Sequence, residues 1–385
     1  MHILKILFKN AFRHKLRTGL TIISITIALL AFGLLTTVID AWYAGIEASS
    51  AYRLVTRNAV SIIFPLPLSY KDRIRQVDGV SAVSWGNWFG GIYIDEKNFF
   101  ANFAVDARTY FDLYREYAIP DDQRTAFMRD RKGFVAGRKL AQRFGWKIGD
   151  TVVLKGTIFP GNWEFVMRGI YRGRDPNADE TVFVFHWDYL NETLKKAAST
   201  RVDQVGFYMV GIRDPARATS ITDAVDSLFK NSYAETITET EKAFTLGFVA
   251  MSDAIITAIE LVSFVVIIII LAVVANTVAM SVRERTNEYA VFKTLGFGGW
   301  RVAGLILGES IVITMLGCAF GVAATYPAAQ IFGKAMGAYF PVFHVSPGTL
   351  LLDVAFSFVV GILAALVPIY RTLRMRIAEG LRMVE

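Results

Sequence analysis

A single cysteine, Cys318, occurs in 385 residues. No disulfide can close within the chain, so any exported part has to fold on packing alone. Cys318 sits in an apolar run, where a thiol serves as a small packing residue. Histidine is almost as scarce: His2, His14, His186 and His344 are scattered without metal-ligand spacing. Charged residues make up only 19% of the chain against 54% hydrophobic ones, a balance foreign to a soluble enzyme of this length. Catalytic signatures are also missing. There is no Gly-x-x-x-x-Gly-Lys-Ser/Thr phosphate loop, no His-Glu-x-x-His pair and no Gly-x-Ser-x-Gly elbow. The glycine cluster Gly296-Phe-Gly-Gly299 follows a helical segment and reads as a helix end. Asp121-Asp122 reads as a solvated turn. The chain is therefore expected to be a non-enzyme, with no cofactor or metal of its own.

What is abundant is apolar sequence in long runs. A membrane helix needs ~20 mostly apolar residues to cross a hydrocarbon core of ~30 Å. The segments 18–39, 254–282, 302–324 and 350–370 meet that requirement. The first is read as a retained span rather than a signal peptide, because its core is too long and no Ala-x-Ala-like site follows it. Glu260, Glu309 and Asp353 lie near the ends of their runs, where they can reach the interface or pair with a neighbouring helix. An ion-coupled carrier would want deeper and more numerous groups. Gly304 with Gly308, and Gly317 with Gly321, are small-xxx-small pairs that let helices approach closely, either within one chain or against a second copy.

The net charge of +7 is placed unevenly. Lys5, Lys9, Arg13, Lys15 and Arg17 precede the first run. Arg283, Arg285, Lys293 and Arg301 lie between the second and third, and Arg371, Arg374, Arg376 and Arg382 follow the fourth. Between the third and fourth runs the only cation is Lys334. The positive-inside rule puts both termini, the loop 283–301 and the tail 371–385 in the cytoplasm, with 40–253 and the short loop 325–349 outside. Membrane orientation accounts for the basic charge, so no nucleic-acid partner is expected. Within 1–17, Leu4, Leu7, Phe8, Ala11 and Phe12 face one way and Lys5, Lys9 and Arg13 another. That is an amphipathic helix on the inner bilayer surface, serving as an anchor or as a partner contact.

The outside segment is long enough for a domain with its own core, and it reads as mixed α/β. Gly91–Glu96, Thr151–Leu154, Phe183–Phe185 and Val205–Ile212 have strand character, while Gly137–Phe144 and Ala218–Phe229 are helical in pattern. Arg172–Thr181 reads as an exposed loop. Two lobes are expected: one from Leu66 to about Pro120 with a returning segment near Ile221–Thr240, the other an insertion from about Gly133 to Val210. The aromatics Trp85, Trp88, Phe89, Tyr93, Phe99, Phe100 and Phe103 are read as core, with an apolar ligand or partner surface as the alternative. From Glu239 to Ala258 the pattern is helical and continuous with the second span, which predicts a rigid stalk.

The most specific stretch is Asn276–Ser310. A span ends in a small polar patch, Arg283-Glu-Arg285-x-x-Glu288 follows, a short helix closes on Leu295-Gly296, and the next span opens with Glu309-Ser310. This closely resembles the FtsX-like permease domain of the MacB, LolC/LolE and FtsX group of ABC transporters, the type VII family. Asn10–Thr21, Val135–Val153 and Pro368–Leu381 resemble that family's N-terminal helix, MacB-like periplasmic core and C-terminal tail. The layout of one span, a large domain and three spans matches as well. One departure is Tyr289-Ala290, where the family usually has Ile-Gly.

The resemblance implies an α+β membrane protein: four transmembrane helices, a large mixed α/β extracytoplasmic domain inserted between helices 1 and 2, and an N-terminal amphipathic helix. It implies that Arg283, Glu284, Arg285, Glu288, Ala290, Lys293, Leu295 and Gly296 form a coupling helix that docks into an ATPase subunit. With no fused ATPase domain in this chain, that ATPase would be a separate cytoplasmic subunit, which would bind the ATP and Mg. Two permease chains, as a homodimer or with a related permease, would sit in the bacterial inner membrane and pass ATP-driven motion to their periplasmic domains. Efflux with a periplasmic adaptor and outer-membrane channel, lipid or lipoprotein extraction, and control of a cell-wall hydrolase all fit that layout. The large outside domain favours transport. A non-transporting signalling or scaffold protein is the alternative.

Overall fold

The computed structural model describes residues 11–175, 177–337, 340 and 342–375. Most of the amphipathic pattern over 1–17 and most of the tail 371–385 fall outside the described residues. The chain divides into two compact units. The first takes the described residues up to Ala41, then Asp253–Ala335 and those from Phe343 onward; the second takes Trp42–Ser252 and Met336–Val342.

The first unit is built on four helices long and apolar enough to cross a membrane: Lys15–Glu47, Asp253–Glu284, Gly299–Met336 and Pro347–Arg374, here spans 1 to 4. Each overruns the stretch that hydropathy marks, because backbone hydrogen bonding continues past the last apolar residue. The largest overrun is in span 3, which stays helical through Pro327 to Met336. Much of the segment read as a short loop over 325–349 is therefore helix.

Glycines set how closely these helices approach. A Cβ on Gly317 would lie 2.5 Å from Cγ2 of Ile25, and one on Gly321 would lie 2.9 Å from Cβ of Leu29. Span 3 therefore packs backbone-close on span 1, as small residues allow in lipid. On span 4, a Cβ on Gly361 would lie 2.7 Å from the Thr314 hydroxyl. The pair Gly304 and Gly308 behaves differently. A Cβ on Gly304 would meet nothing within 4 Å, and Gly308 is half-buried. Hydroxyls join the helices where lipid offers no partner: Thr21 to Thr277 at 3.0 Å, and Ser310 Oγ donating to the Gly361 carbonyl at 2.7 Å. At the other end, Asp40 Oδ2 accepts from Ser346 Oγ (2.8 Å) and Thr349 Oγ1 (3.0 Å), while Ser346 caps span 4 by accepting from Thr349 N.

The three acids of the runs take three different places. Glu260 is exposed. Glu309 is paired with a neighbouring helix, as described below. Asp353 departs from the expectation: it is fully buried, and neither carboxylate oxygen has a hydrogen-bond partner among the described residues. Gly33 makes room for it, since a Cβ there would stand 3.3 Å from Asp353 Oδ2.

The second unit holds the strands β1 Arg53–Asn58, β2 Leu66–Pro67, β3 Val80–Trp88, β4 Gly91–Ile92, β5 Asn102–Val105, β6 Tyr117–Ala118, β7 Gly133–Gly137, β8 Thr151–Gly156, β9 Gly161–Gly173, β10 Phe183–His186, β11 Gln204–Val205, β12 Phe207–Ile212 and β13 Thr236–Thr240. One mixed sheet runs β13-β1-β12-β3-β5-β10-β7-β9-β8-β4, with β6 on β9, and β2 pairs with β11 apart from it. Parallel pairing of β5 with β10, Asn102 opposite Phe183, joins the two halves. Leu54, Val83, Phe134, Phe165, Phe183 and Tyr208 belong to one core cluster spanning that seam. The expected division into two lobes is therefore replaced by one continuous sheet. β12, assigned mostly to the second lobe, inserts between β1 and β3, the latter a strand of the first lobe.

The helix Ala218–Phe229 buries Ile221, Val225 and Phe229, spaced i, i+4, i+8 as an amphipathic stripe requires. Of the aromatic cluster, Trp85, Phe89 and Phe100 are core, whereas Trp88 and Phe99 are exposed and stack on each other.

The predicted stalk is interrupted. A helix Glu241–Ala250 ends at a turn of Met251 and Ser252, and span 2 starts afresh at Asp253. Met251 and Ser252 are compatible with helix, so the break is not marked by glycine or proline. Within the second unit, Glu241 is held tightly. Arg53 donates through Nε to Glu241 Oε1 (2.8 Å), through Nη2 to Glu116 Oε1 (2.6 Å), and through Nη1 to the Leu113 carbonyl (2.7 Å). Its guanidinium lies 3.7 Å above the Tyr114 ring, and Glu241 Oε2 accepts from Ser50 N at 2.8 Å. The residues just after span 1 and those just before span 2 thus share one buried ion cluster.

Candidate functional site

Between spans 2 and 3 lies a short helix, Thr286–Thr294. It ends because Gly296 adopts φ +83°, which costs glycine little and other residues more. Gly296 N donates to the Lys293 carbonyl at 3.2 Å, and Phe297 N to the Phe292 carbonyl at 2.9 Å. That is the paired closure of a Schellman motif, and the Phe292 and Phe297 rings at 5.6 Å supply its apolar contact. The Leu295-Gly296 pair is thereby explained as a helix stop.

Charge fixes this helix to its surroundings. Arg285 Nη1 lies 3.0 Å from Glu309 Oε2 on span 3, both side chains nearly buried. Arg285 Nε donates to Glu288 Oε2 at 3.0 Å, and Ser281 Oγ donates to Glu309 Oε1 at 2.7 Å. Arg13 pairs with Glu288. Arg17 Nη1 donates to Glu284 Oε1 at 2.7 Å, and His14 Nε2 lies 3.3 Å from Glu284 Oε2. Two cations four apart around the start of span 1 thus meet two acids four apart, Glu284 closing span 2 and Glu288 in the short helix, in opposite order. Lys293 Nζ donates to the carbonyls of Thr372 (2.6 Å) and Met375 (3.2 Å), which satisfies acceptors left open at the end of span 4.

Electrostatics keep the cluster ionised. Partial burial raises the Glu288 carboxyl, but Arg13 and Arg285 outweigh it and hold the group below its ordinary range. Burial opposes the charge on Arg285, yet Tyr289, Glu288 and Glu309 hold its guanidinium above the usual value. Burial pushes the Tyr289 hydroxyl up to about 12, and among the described residues that hydroxyl has no partner.

The structure therefore sorts the residues read as one docking surface into two groups. Glu284, Arg285, Glu288 and Lys293 are engaged within the chain, and Ala290 is fully buried in the first unit's core beside Tyr289. Ala290 therefore offers no outer face, unlike the docking role that the resemblance implies for it. Arg283 and Gly296 are exposed. The apolar groups that do reach outward are Val291, Leu295, Phe297 and Trp300, with Leu295 at 69% and Trp300 at 85% exposure. Phe297 and Trp300 were not singled out from the sequence, nor was the pairing of Arg13, His14 and Arg17 with Glu284 and Glu288. The matched four-residue spacing of Arg13/Arg17 and Glu284/Glu288 was the available signal.

Comparison with known proteins bears on both units. The family described as FtsX-like permease C-terminal matches residues 260–377. The family described as MacB-like periplasmic core domain matches residues 18–228, more than half of the chain. Among relatives, an uncharacterized ABC transporter permease protein of Mycobacterium tuberculosis, Rv0987, is 24% identical over 203 residues, covering 51% of this chain. The chain spans only 22% of that relative's length. Among solved structures, the periplasmic region of MacB from Actinobacillus actinomycetemcomitans is similar at 11% identity and a TM-score of 0.39, covering 53% of this chain and 95% of that one. The extracellular domain of the noncanonic ABC-type transporter YknZ from Gram-positive bacteria gives 11% identity and a TM-score of 0.36, covering 49% of this chain and 100% of that one.

Proposed function

The chain belongs to the MacB/FtsX family of ABC transporter permeases, a membrane protein with an extracytoplasmic domain, and we propose that it converts ATP hydrolysis by a separate ATPase subunit into movement of that domain. The reading is mechanotransmission. An ATPase binds Val291, Leu295, Phe297 and Trp300, the apolar face left outward by the short helix and the turn after it. Its motion is taken up by a helix that cannot shift alone, because ion pairs bind Glu288 to Arg13 and the N-cap Arg285 to Glu309 of span 3, while Arg17 of span 1 holds Glu284 at the end of span 2. The observation that carries this reading is that division of labour: charges turned inward to hold the helix, apolar side chains turned outward to be gripped.

The orientation follows from basic charge. The short helix and both chain ends face the cytoplasm of a bacterial inner membrane, with the large domain outside. Two such permease chains, most simply identical, work with two ATPases. The cargo is acted on outside the membrane core, as in efflux through an adaptor and outer-membrane channel or in extraction of a lipid or lipoprotein. The test is affinity purification of the full chain from its native cells in mild detergent, alongside Leu295→Asp and Trp300→Asp. An ABC ATPase should co-purify with the wild type and be lost from both variants. Recovery of no ATPase with the wild type would overturn the proposal.

A further inference from the structure

In the second unit, residues from β6, β9 and the helices Asp121–Arg129 and Arg138–Phe144 line a cleft of about 900 Å³, a size suited to a small molecule. Its floor is apolar, with Ile119, Ala141, Trp146 and Ile170. Trp146 spends its ring N–H on the Tyr93 hydroxyl at 3.3 Å, which leaves that polar atom occupied. Every charged side chain of the lining is a cation: Arg138, Lys147 and Arg172. Arg138 is already matched, with Nη2 2.9 Å from Glu180 Oε2. Lys147 and Arg172 are exposed, and neither side chain has an ion pair or hydrogen bond among the described residues.

An apolar floor under two uncommitted cations, with no acid in the lining, is complementary to one kind of ligand. We propose that this cleft binds an anionic amphiphile, with an apolar chain lying over Trp146 and Ile170 and a phosphate or carboxylate held between Lys147 and Arg172. The apolar body gains by leaving water, and the two cations choose the head group. A neutral chain lacks the second contribution and a cationic one meets repulsion. The inference concerns binding alone and stands independently of the coupling mechanism.

The test uses the full chain in nanodiscs and three photo-crosslinking probes with the same eight-carbon, diazirine-tipped chain, below their critical micelle concentrations. One carries a phosphate, one a hydroxyl and one a trimethylammonium. Labelled peptides are located by mass spectrometry. The phosphate probe should label the segments around Ile119, Trp146 and Ile170, and the other two should not. The double variant Lys147→Glu/Arg172→Glu should lower that labelling about tenfold, equivalent to ~1.4 kcal/mol, while Lys147→Arg should retain it. Both positions are exposed and unpaired, so an unchanged thermal midpoint is expected; Lys147→Ala/Arg172→Ala serves as the second variant should charge reversal disturb the fold. Equal labelling by all three probes, or labelling indifferent to both double variants, would overturn the proposal. Half-displacement of the phosphate probe by inorganic phosphate at the probe's own concentration would do so too, since the apolar floor would then contribute nothing.

Discussion

Arg285 and Glu309 meet with 3.0 Å between Nη1 and Oε2, one at the start of the short helix and the other 24 positions later on span 3, and both side chains are nearly buried. Removing one member of such a pair leaves the other as an uncompensated buried charge, which costs more than the pair itself contributes. Arg285→Met should therefore destabilise the membrane unit by about 3–5 kcal/mol. Arg285→Met/Glu309→Leu should recover most of that loss, in a strongly non-additive double-mutant cycle. Thermal unfolding of the four proteins in one detergent measures it. Additive single losses would show that the two groups do not interact.

The Arg53 cluster makes a parallel prediction for the extracytoplasmic domain. Arg53 is 3% exposed and holds Glu116 and Glu241 together. Arg53→Met strands two carboxylates and should cost about 3–5 kcal/mol. For a domain of this size that lowers the unfolding midpoint by on the order of 10 °C. Differential scanning calorimetry of the full chain reads it, and a shift below a couple of degrees would mean that solvent already screens the cluster.

The glycines of span 3 should separate cleanly. Gly317→Ala forces a Cβ toward Ile25 and should destabilise by about 1–3 kcal/mol through overpacking, with partial rescue by Ile25→Ala. Gly304→Ala meets open space and should be neutral or stabilising by up to about 1 kcal/mol from helix propensity. Thermal stability in detergent compares them directly.

His186 predicts a pH dependence. Burial lowers its pKa from the ordinary 6.5, even though Nε2 contacts the Phe127 carbonyl at 2.7 Å. With the folded value below the unfolded one, its contribution is fully present above 6.5 and is lost as pH falls through the depressed folded pKa. The wild type should therefore lose more stability than His186→Gln as the pH is taken from neutral into the acid range. Parallel curves for the two would remove His186 as the cause.

The spans were legible in the sequence because lipid demands long uncharged runs, and the Arg283–Glu288 segment stood out by its charge. The helix lengths were not, since Tyr326–Met336 continues a backbone pattern that hydropathy does not report. The continuous sheet was hidden for a different reason. It depends on Asn102–Val105 pairing with Phe183–His186, a contact about eighty residues apart along the chain that no local pattern encodes. The proposed docking segment was half visible. Its charges could be read, but their partners Arg13, Arg17 and Glu309 are distant in sequence, and so is the packing that buries Ala290.

The most direct test is a distance measurement on the assembled transporter. Cys318→Ala removes the native thiol, and a spin label at Tyr233→Cys, a fully exposed position, reports on the extracytoplasmic domains of the two copies proposed above. Mechanotransmission predicts that trapping the ATPase with ATP and vanadate shifts the label-to-label distance, and that Arg285→Met/Glu309→Leu abolishes the shift while the ATPase stays bound. An identical distance distribution with and without nucleotide in the unmutated background would contradict it.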